Sequence, residues 1–228
     1  MARPEVTLHF AQSLDGRIGL GPGRERAILS SEEGIVSAHE ARRRHDAVLI
    51  GIETLLHDDP LLTARFADGP QPLRVVLDSH LRLPLGARLL APDASAGKVL
   101  VFGSTARASN ERRRELEAAG AGVALTEPDP NGRVELGQAL EILGRLGVKS
   151  VLVEGGAKVL TSFLQARLAE RAEIEVAPLW LGAGATPAFC DLNVAEVRQA
   201  FRLERTQVET LGASVLVRGD IAYPRSST

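Results

Sequence analysis

The stretch Ser150-Val151-Leu152-Val153-Glu154-Gly155-Gly156 decides the fold of this chain. Its run of Val and Leu residues is typical of a strand that is buried on both faces. The Gly-Gly pair that follows predicts a tight turn into a helix, which should extend to about residue 168. A buried strand that leads directly into a helix is the building unit of α/β folds.

The same unit recurs along the rest of the chain. Short apolar strands alternate with helical segments that begin at capping residues or end at glycine. We predict strands at 6–10, 47–51, 73–78, 99–103, 122–125 and 173–176, and a hairpin at 201–218. We predict helices at 107–119 and 134–146, and a helix that is capped by Ser30 with Glu33 and runs to Arg44. A turn at 13–16 and loops at 19–23, 54–65 and 91–94 connect these elements. This order predicts a single three-layer α/β/α domain over residues 1–228, with a mixed central sheet and a C-terminal antiparallel hairpin.

The composition narrows the class of protein. The chain has 228 residues with 27 Lys and Arg against 29 Asp and Glu, a balance that argues against nucleic acid as a partner. Cys190 is the single cysteine, which excludes an intramolecular disulfide and a cysteine-rich zinc site and is typical of a reducing cytosol. We find neither a signal peptide nor an apolar run of about 20 residues that would span a membrane. We therefore expect a cytoplasmic protein with no membrane partner.

Polar residues at the carboxyl ends of strands are the candidates for a site, because ligands bind there in open α/β sheets. Gly155 and Gly156 can present free N–H groups to a phosphate at the start of a helix. Glu154, at the tip of the strand, can hold a hydroxyl or an iminium. The alternative interpretation is an ordinary tight turn with an acidic side chain in water.

A second candidate is the segment 54–65, in which Asp58 and Asp59 precede a proline and Arg65 follows. The planar fork of an arginine suits phosphate oxygens, so this segment can surround a sugar phosphate. The alternative is a solvated acidic turn with a helix cap at Asp58 or Asp59. The basic run 42–44 has two interpretations as well: a solvated helix face, or one arginine that reaches a phosphate.

Asp78-Ser79 ends another predicted strand. The Ser79 hydroxyl can meet a ribose or a phosphate, or it can cap the following turn. Arg82 follows closely and is either a contact for a 2′-phosphate or a surface arginine.

The sequence lacks the motifs of several classes of enzyme. The sequence has no P-loop, no Gly-x-Ser-x-Gly elbow and no zinc-deaminase pattern, and its five histidines lack the His-Glu-x-x-His spacing. We therefore expect no metal site. Cys190, beside Phe189, is interpreted as a small core residue rather than a nucleophile.

Taken together and in order, these clusters resemble the riboflavin-biosynthesis pyrimidine reductases. That family includes the C-terminal reductase domain of the bifunctional deaminase–reductase and stand-alone reductases. The resemblance covers nearly the whole chain and rests on the segments Ala11-Gln12-Ser13-Leu14-Asp15-Gly16-Arg17-Ile18, Asp46-Ala47-Val48-Leu49-Ile50-Gly51, 54–65, Val76-Leu77-Asp78-Ser79, Leu152-Val153-Glu154-Gly155-Gly156 and Ala177-Pro178.

The resemblance implies a dihydrofolate-reductase-like fold, a homodimer, and NADPH as donor of the hydride that converts a ribosylaminopyrimidinone 5′-phosphate to its ribityl form. It places the cofactor on Ala11, Thr54, Asp58, Ser79, Gly155, Gly156, Ala157, Lys158, Val159, Leu160, Thr161 and Ser162. It places the substrate on Arg42, Leu62, Arg65 and Glu154, and a slip of one residue would name Arg43. Glu154 and Asp58 are the candidates for the catalytic acid.

Two positions depart from the family's pattern: Ile28 stands where an aromatic residue is usual, and His9 stands where many members have lysine. Two alternatives stay open, and these two departures motivate the second of them. One is a dihydrofolate or other pterin-type reductase on the same fold. The other is a catalytically silent nucleotide-binding module.

Overall fold

The structure is a computed structural model that describes residues 2–21, 23–25, 27–66, 69–91 and 96–224. The chain forms two compact units. The first unit contains Met1–Glu5 and His39–Leu152, and the second contains Val6–Ala38 and Val153–Thr228. Pro22 of the predicted loop at 19–23, and residues 92–94 of the predicted loop at 91–94, lie outside the described residues.

The secondary structure alternates strands and helices. The strands are β1 Glu5–Ser13, β2 Arg17–Gly19, β3 Ala47–Gly51, β4 Leu73–Leu77, β5 Val99–Ser104, β6 Gly122–Thr126, β7 Ser150–Gly155, β8 Arg171–Ala177, β9 Thr186–Pro187, β10 Arg202–Leu211 and β11 Ser214–Ala222. The α-helices are α1 Glu32–Arg44, α2 Ile52–Asp58, α3 Asn110–Ala118, α4 Leu136–Arg145 and α5 Ala157–Gln165, and 3-10 turns lie at Arg88–Leu90 and Val197–Gln199. In the part of the chain that the structure describes, no helix has the length and apolar character needed to cross a membrane.

Strands β3 to β6 of the first unit are neighbours in the order β3-β4-β5-β6. Strands β3 to β6 are parallel neighbours, with Leu49 opposite Val75 and Val76 opposite Val101. Every residue of β3 is buried, as its continuous apolar run predicts for a strand covered on both faces. Val48 and Ile50 of β3 belong to the apolar core of this unit.

The strands of the second unit are ordered β10-β11-β8-β1-β7. Strand β8 is parallel to β1 on one side, where Ile174 faces Phe10, and antiparallel to β11 on the other, where Ile174 faces Val217. Strands β10 and β11 form the antiparallel hairpin that the sequence predicts across residues 211–212. The sheet of this unit is therefore mixed, as expected.

The cap of the first helix, α1, lies one residue later than predicted, at Ser31 instead of Ser30. The hydroxyl of Ser31, not that of Ser30, accepts the N–H of Gly34 at 3.0 Å. In a capping box, the Glu33 carboxylate would accept the main-chain N–H of the cap residue. Here the buried carboxylate of Glu175, on the distant strand β8, accepts the Ser31 N–H at 3.0 Å instead. The predicted capping box is thus wrong, since a long-range carboxylate satisfies the helix start.

Other boundaries differ for local reasons. Helix α2 occupies the start of the segment predicted as a loop, and Asp59 ends this helix in the left-handed conformation instead of capping the start of one. Helix α3 starts three residues later than predicted because Ser109 is its N-cap, and α5 ends three residues earlier, at Gln165. The short pair β2 and β9 was not predicted.

The turn after β1 is built around Asp15. Its carboxylate accepts the hydroxyl of Ser13 at 2.5 Å and the main-chain N–H groups of Leu181 and Gly182 at 3.1 and 2.7 Å. These hydrogen bonds, that of Ser13 first, lower the pKa of Asp15 from 3.8 to about 2. The Ser-Leu-Asp-Gly motif therefore joins this turn to the segment around residue 181.

Replacing Ser31 by alanine tests the helix start. The change removes the acceptor for the Gly34 N–H and the donor to the Leu211 carbonyl, so we expect a loss of about 1 kcal/mol in the free energy of unfolding. Urea denaturation measures this loss. The matched variant Ser30→Ala should lie within about 0.5 kcal/mol of the wild type, and equal losses in both variants would contradict the cap described here.

The lowered pKa of Asp15 predicts a pH dependence of stability. Because the carboxyl is more acidic in the folded chain than in the unfolded chain, its stabilising contribution is complete well above pH 3.8 and is lost as the pH falls towards about 2. Compared with Asp15→Asn, the wild type should lose stability more steeply as the pH falls below about 5. Urea denaturation at each pH, followed by the fluorescence of the single tryptophan, Trp180, measures this, and parallel curves would refute it.

Candidate active site

The predicted site residues divide between the two units. Arg42, Thr54, Asp58, Leu62, Arg65 and Ser79 lie in the first unit, and Ala11 and residues 154–162 lie in the second.

The Gly-Gly turn of the second unit connects β7 directly to α5, as predicted. Gly156 is the N-cap residue of α5 and has a φ of 81°, a conformation that glycine adopts without the steric cost paid by other residues. At Gly155, an added Cβ would lie 3.0 Å from the Cβ of Val159, so a side chain there would crowd the first turn of the helix. Glycine is therefore favoured at 156 by the backbone conformation and at 155 by the packing of Val159.

The start of α5 has the properties of an anion site. Gly156 provides no side-chain cap, so the first N–H groups of the helix are not satisfied by a capping side chain. These N–H groups and the helix dipole favour a negatively charged group at this end. Lys158, in the first turn, is exposed and adds a positive charge.

The later residues of the predicted cofactor segment face the protein. Leu160 and Thr161 are buried, and the Thr161 hydroxyl donates to the Ala157 carbonyl and accepts the Cys190 N–H. The Ser162 hydroxyl donates to the Lys158 carbonyl. The side chains of Leu160 and Thr161 thus serve the helix and its packing, which leaves the start of α5 as the part suited to a ligand.

Glu154 and Ala11 lie on strands of the second unit. Glu154 is the residue before the Gly-Gly pair and is half-buried. Ala11 is also half-buried and lies opposite Glu175 in the β1–β8 register. Both positions leave a side of the residue accessible from solvent.

In the first unit, Arg42 and Arg65 converge on Thr63. Arg42 donates from Nη1 to the Thr63 carbonyl at 3.0 Å, and Arg65 donates from Nη1 to the Thr63 hydroxyl at 3.2 Å. Loss of solvation, followed by the charges of Arg42 and Arg88, lowers the pKa of Arg65. Two further positive charges that act on Arg65 make this segment a candidate site for an anion.

The neighbouring residue Arg43 points elsewhere. It is exposed, and its side-chain carbons face Gly69. The hydrogen bond to Thr63 therefore singles out Arg42 from the basic run at the end of α1, whose charges also suit the negative end of the helix dipole.

Arg74 and Asp59 hold the segment that carries these arginines. The buried guanidinium of Arg74 donates to the carbonyls of Leu89 and Gly97 at 2.9 and 2.6 Å, and more weakly to Leu61 at 3.4 Å. Asp59 accepts the main-chain N–H of Arg88 at 2.9 Å. The sequence interpretation missed both Arg74 and Arg88, because the partners that give them a role are distant in sequence.

Leu62 has an unusual backbone. Its φ is 55°, which is costly for a residue with a side chain, and the side chain belongs to the apolar core. The residue as a whole is only 1% exposed, so Leu62 contributes to this segment from the core.

The other predicted polar contacts of the first unit already have protein partners. Asp58 lies 2.7 Å from Nδ1 of His57, and the Ser79 hydroxyl accepts the Val134 N–H at 3.1 Å. Thr54 is half-buried in the first turn of α2. Of the two roles considered for the Ser79 hydroxyl, the structure shows a contact within the protein.

Arg82 is part of an ion-pair chain. It donates to Glu53 at 2.9 Å and lies 3.5 Å from the buried carboxylate of Asp78, and these partners, Glu53 first, raise its pKa. Burial raises the pKa of Asp78, whose other oxygen accepts the Leu83 N–H. Arg82 therefore fits the interpretation as a surface arginine.

Neither metal nor cysteine chemistry is apparent in the described residues. They contain no cluster of three or more His, Cys, Asp or Glu side chains placed to hold a metal ion. Cys190 is exposed, so its interpretation as a core residue is wrong. Its main-chain N–H binds Thr161, and this contact holds the residue at the surface beside α5.

Comparison with known proteins identifies close likenesses over the whole chain. The riboflavin biosynthesis protein RibD of Aquifex aeolicus is 32% identical over 216 residues, which are 94% of this chain and 57% of that protein. The 2,5-diamino-6-ribosylamino-4(3H)-pyrimidinone 5′-phosphate reductase of Methanothermobacter thermautotrophicus is 36% identical over 220 residues, 94% of this chain and 97% of that protein. The chain thus spans little more than half of the first relative and nearly all of the second.

A solved structure shows the same fold. RibD of Acinetobacter baumannii matches with a TM-score of 0.80 and 28% identity, over 96% of this chain and 58% of that one. The predicted α/β fold, with its mixed sheet and C-terminal antiparallel strands, is confirmed. A family model, described as the RibD C-terminal domain, matches residues 4–217, and the chain therefore belongs to that family.

Proposed function

We propose that this chain is an NADPH-dependent reductase that converts the ribosylamino group of a pyrimidinone 5′-phosphate to a ribitylamino group in riboflavin biosynthesis. One observation carries the proposal: Arg42 and Arg65 are both oriented by Thr63, and Arg88 acts electrostatically on Arg65. Such a cluster suits a dianionic phosphate. The Methanothermobacter relative is named for a substrate that carries a 5′-phosphate.

The substrate is assigned to four residues. Arg42 and Arg65 bind the phosphate oxygens, and the main chain of Leu62 lies in the same segment. Glu154 binds the sugar, where a carboxylate can accept a hydroxyl hydrogen or stabilise an iminium. The net charge of −2 is no obstacle, because phosphate binding needs only a local positive site.

The start of α5 fits a nicotinamide dinucleotide. Gly156 provides no side-chain cap for the N–H groups that follow it, and these N–H groups suit the pyrophosphate. The absence of a Cβ at Gly156 permits close approach of a ligand to the backbone. Ala11, Thr54, Asp58 and Ser79 complete the proposed cofactor set. When bound, NADPH supplies the hydride. The preference for NADPH over NADH is part of the proposal.

The residues of the chain then have to position the substrate and supply it with a proton. Reduction of the ring-opened sugar adds a hydride and a proton to the C=N bond, so an acid near the ribose assists. Glu154 is the better candidate for this acid. Asp58 is the other, but it already lies within hydrogen-bond distance of His57. No side-chain nucleophile is required for hydride transfer.

Three further properties belong to the same proposal. The whole chain acts as one reductase domain, it forms a homodimer, and it works in the cytoplasm. The family resemblance supports the first two, and the single cysteine is in keeping with the third.

Loss of Arg42 tests the phosphate site. We expect Arg42→Ala to raise KM for the phosphorylated ribosylaminopyrimidine about 10- to 100-fold, because a charge-assisted hydrogen bond is lost. The assay follows the decrease of the nicotinamide absorbance band with the deaminated and the diamino substrate. The matched variant Arg43→Ala, from the same basic run, should leave KM within about twofold. Oxidation of NADPH with dihydrofolate alone would contradict the proposed function.

Replacing Gly156 by alanine tests the cofactor site. Because φ is positive, the change should cost about 1 kcal/mol in stability, and the added Cβ should weaken NADPH binding about tenfold or more. Gly147→Ala is the matched control, since Gly147 has a φ of 88° and open space around it. It should lose similar stability and keep the Kd for NADPH, measured by cofactor fluorescence. An unchanged Kd in Gly156→Ala would exclude α5 from cofactor binding.

A further inference from the structure

His39 makes an unusual contact with the segment that carries Arg65. It lies on α1 and is only 4% exposed, and its Nδ1 is 2.9 Å from the main-chain nitrogen of Arg65. Because a main-chain N–H can only donate, Nδ1 is the acceptor. The ring in this contact is therefore neutral and carries its hydrogen on Nε2.

The same ring also contacts the next residue. The ring centroids of His39 and Phe66 are 4.6 Å apart at an interplanar angle of 60°, which is an edge-on aromatic contact. The Phe66 ring in turn lies 5.7 Å from Cζ of Arg65, within the range of a cation–π interaction. His39 thus supports Arg65 by two routes, through its main chain and through the ring that its guanidinium faces.

We propose that His39 is a positioning residue for the phosphate site, which orients Arg65 by accepting its main-chain N–H and by supporting the Phe66 ring. The inference rests on the proposed function, since Arg65 is assigned there to the 5′-phosphate. His39 and Arg42 lie three residues apart on α1, so one helix face holds both ends of the segment 63–65.

Arg65 lies among like charges. The positive charges of Arg42 and Arg88 act on Arg65, whose side chain is exposed at the surface. Thr63 holds the guanidinium by one hydrogen bond, at 3.2 Å. Without the acceptor at His39, the Arg65 N–H loses its partner and the segment loses its anchor on α1.

Binding of ribose 5-phosphate to the full chain, measured by calorimetry, tests the proposal without turnover. His39→Leu keeps the apolar volume but removes the acceptor, and it should weaken binding about tenfold. His39→Asn places an amide oxygen near the position of Nδ1 and should restore binding to within about threefold of the wild type. In the reductase assay, His39→Leu should raise KM for the phosphorylated substrate and leave kcat and the KM for NADPH within about twofold, whereas mere loss of folded protein would lower kcat.

Two further variants complete the test. His45→Leu removes a ring of the same kind at the end of α1, where Nδ1 contacts the Ala41 carbonyl, and it should bind ribose 5-phosphate as the wild type does. Phe66→Leu probes the exposed side of the same support without risk to the core and should weaken binding about threefold.

The outcomes separate this proposal from the proposed function. If His39→Leu binds ribose 5-phosphate as tightly as the wild type does, the role of His39 is overturned while the proposed function stands. If His39→Leu does not fold, wild-type binding by Phe66→Leu overturns the role in the same way. Equal losses in His39→Leu and His45→Leu also overturn it. Failure of the wild-type chain to bind ribose 5-phosphate would instead overturn the phosphate site and, with it, the proposed function.

Discussion

In the first unit, hydrogen bonds from guanidinium groups to neutral oxygen atoms position the residues of the candidate anion site. Arg42 and Arg65 are oriented by the neutral carbonyl and hydroxyl oxygens of Thr63, and such oxygens fix a guanidinium without cancelling its charge. Arg74 follows the same rule in the interior, where it donates to main-chain carbonyls of separate loops. The positive charges of Arg42 and Arg65 are thereby available to an anion.

The second unit collects main-chain N–H groups in a complementary way. Asp15 accepts two of them from the segment at 181–182, and Glu175 accepts the N–H that begins α1. At the start of α5 the N-cap residue is Gly156, which has no side chain to accept the first N–H groups of the helix. A helix start whose N-cap residue has no side chain can accommodate an external anion.

These arrangements suit a reaction in which placement does most of the work. Hydride transfer requires that two ligands be held close together and that water be excluded, and it needs no activated nucleophile. The candidate residues are accordingly donors and acceptors, with Glu154 as the proposed acid. Exposed Cys190 and the ion-paired Arg82 take no part in the chemistry proposed here.

The amino-acid sequence by itself determined the features that depend on neighbouring residues. The apolar run 150–153 predicted a buried strand, and the two glycines after Glu154 predicted the turn, since periodicity and backbone freedom are local properties. The family resemblance, not the local pattern, named the arginine at position 42, and the structure distinguishes it from Arg43 by a hydrogen bond to Thr63.

Only the tertiary structure decided which side chains hold the site in place. Ser31 takes its second partner from Glu175, 144 residues away, and His39 accepts an N–H from a residue 26 positions away. Asp59 accepts the main-chain N–H of Arg88 at a separation of 29 residues. Local patterns carry no information on such contacts, because they form only when the folded backbone brings distant donors and acceptors within about 3 Å of each other.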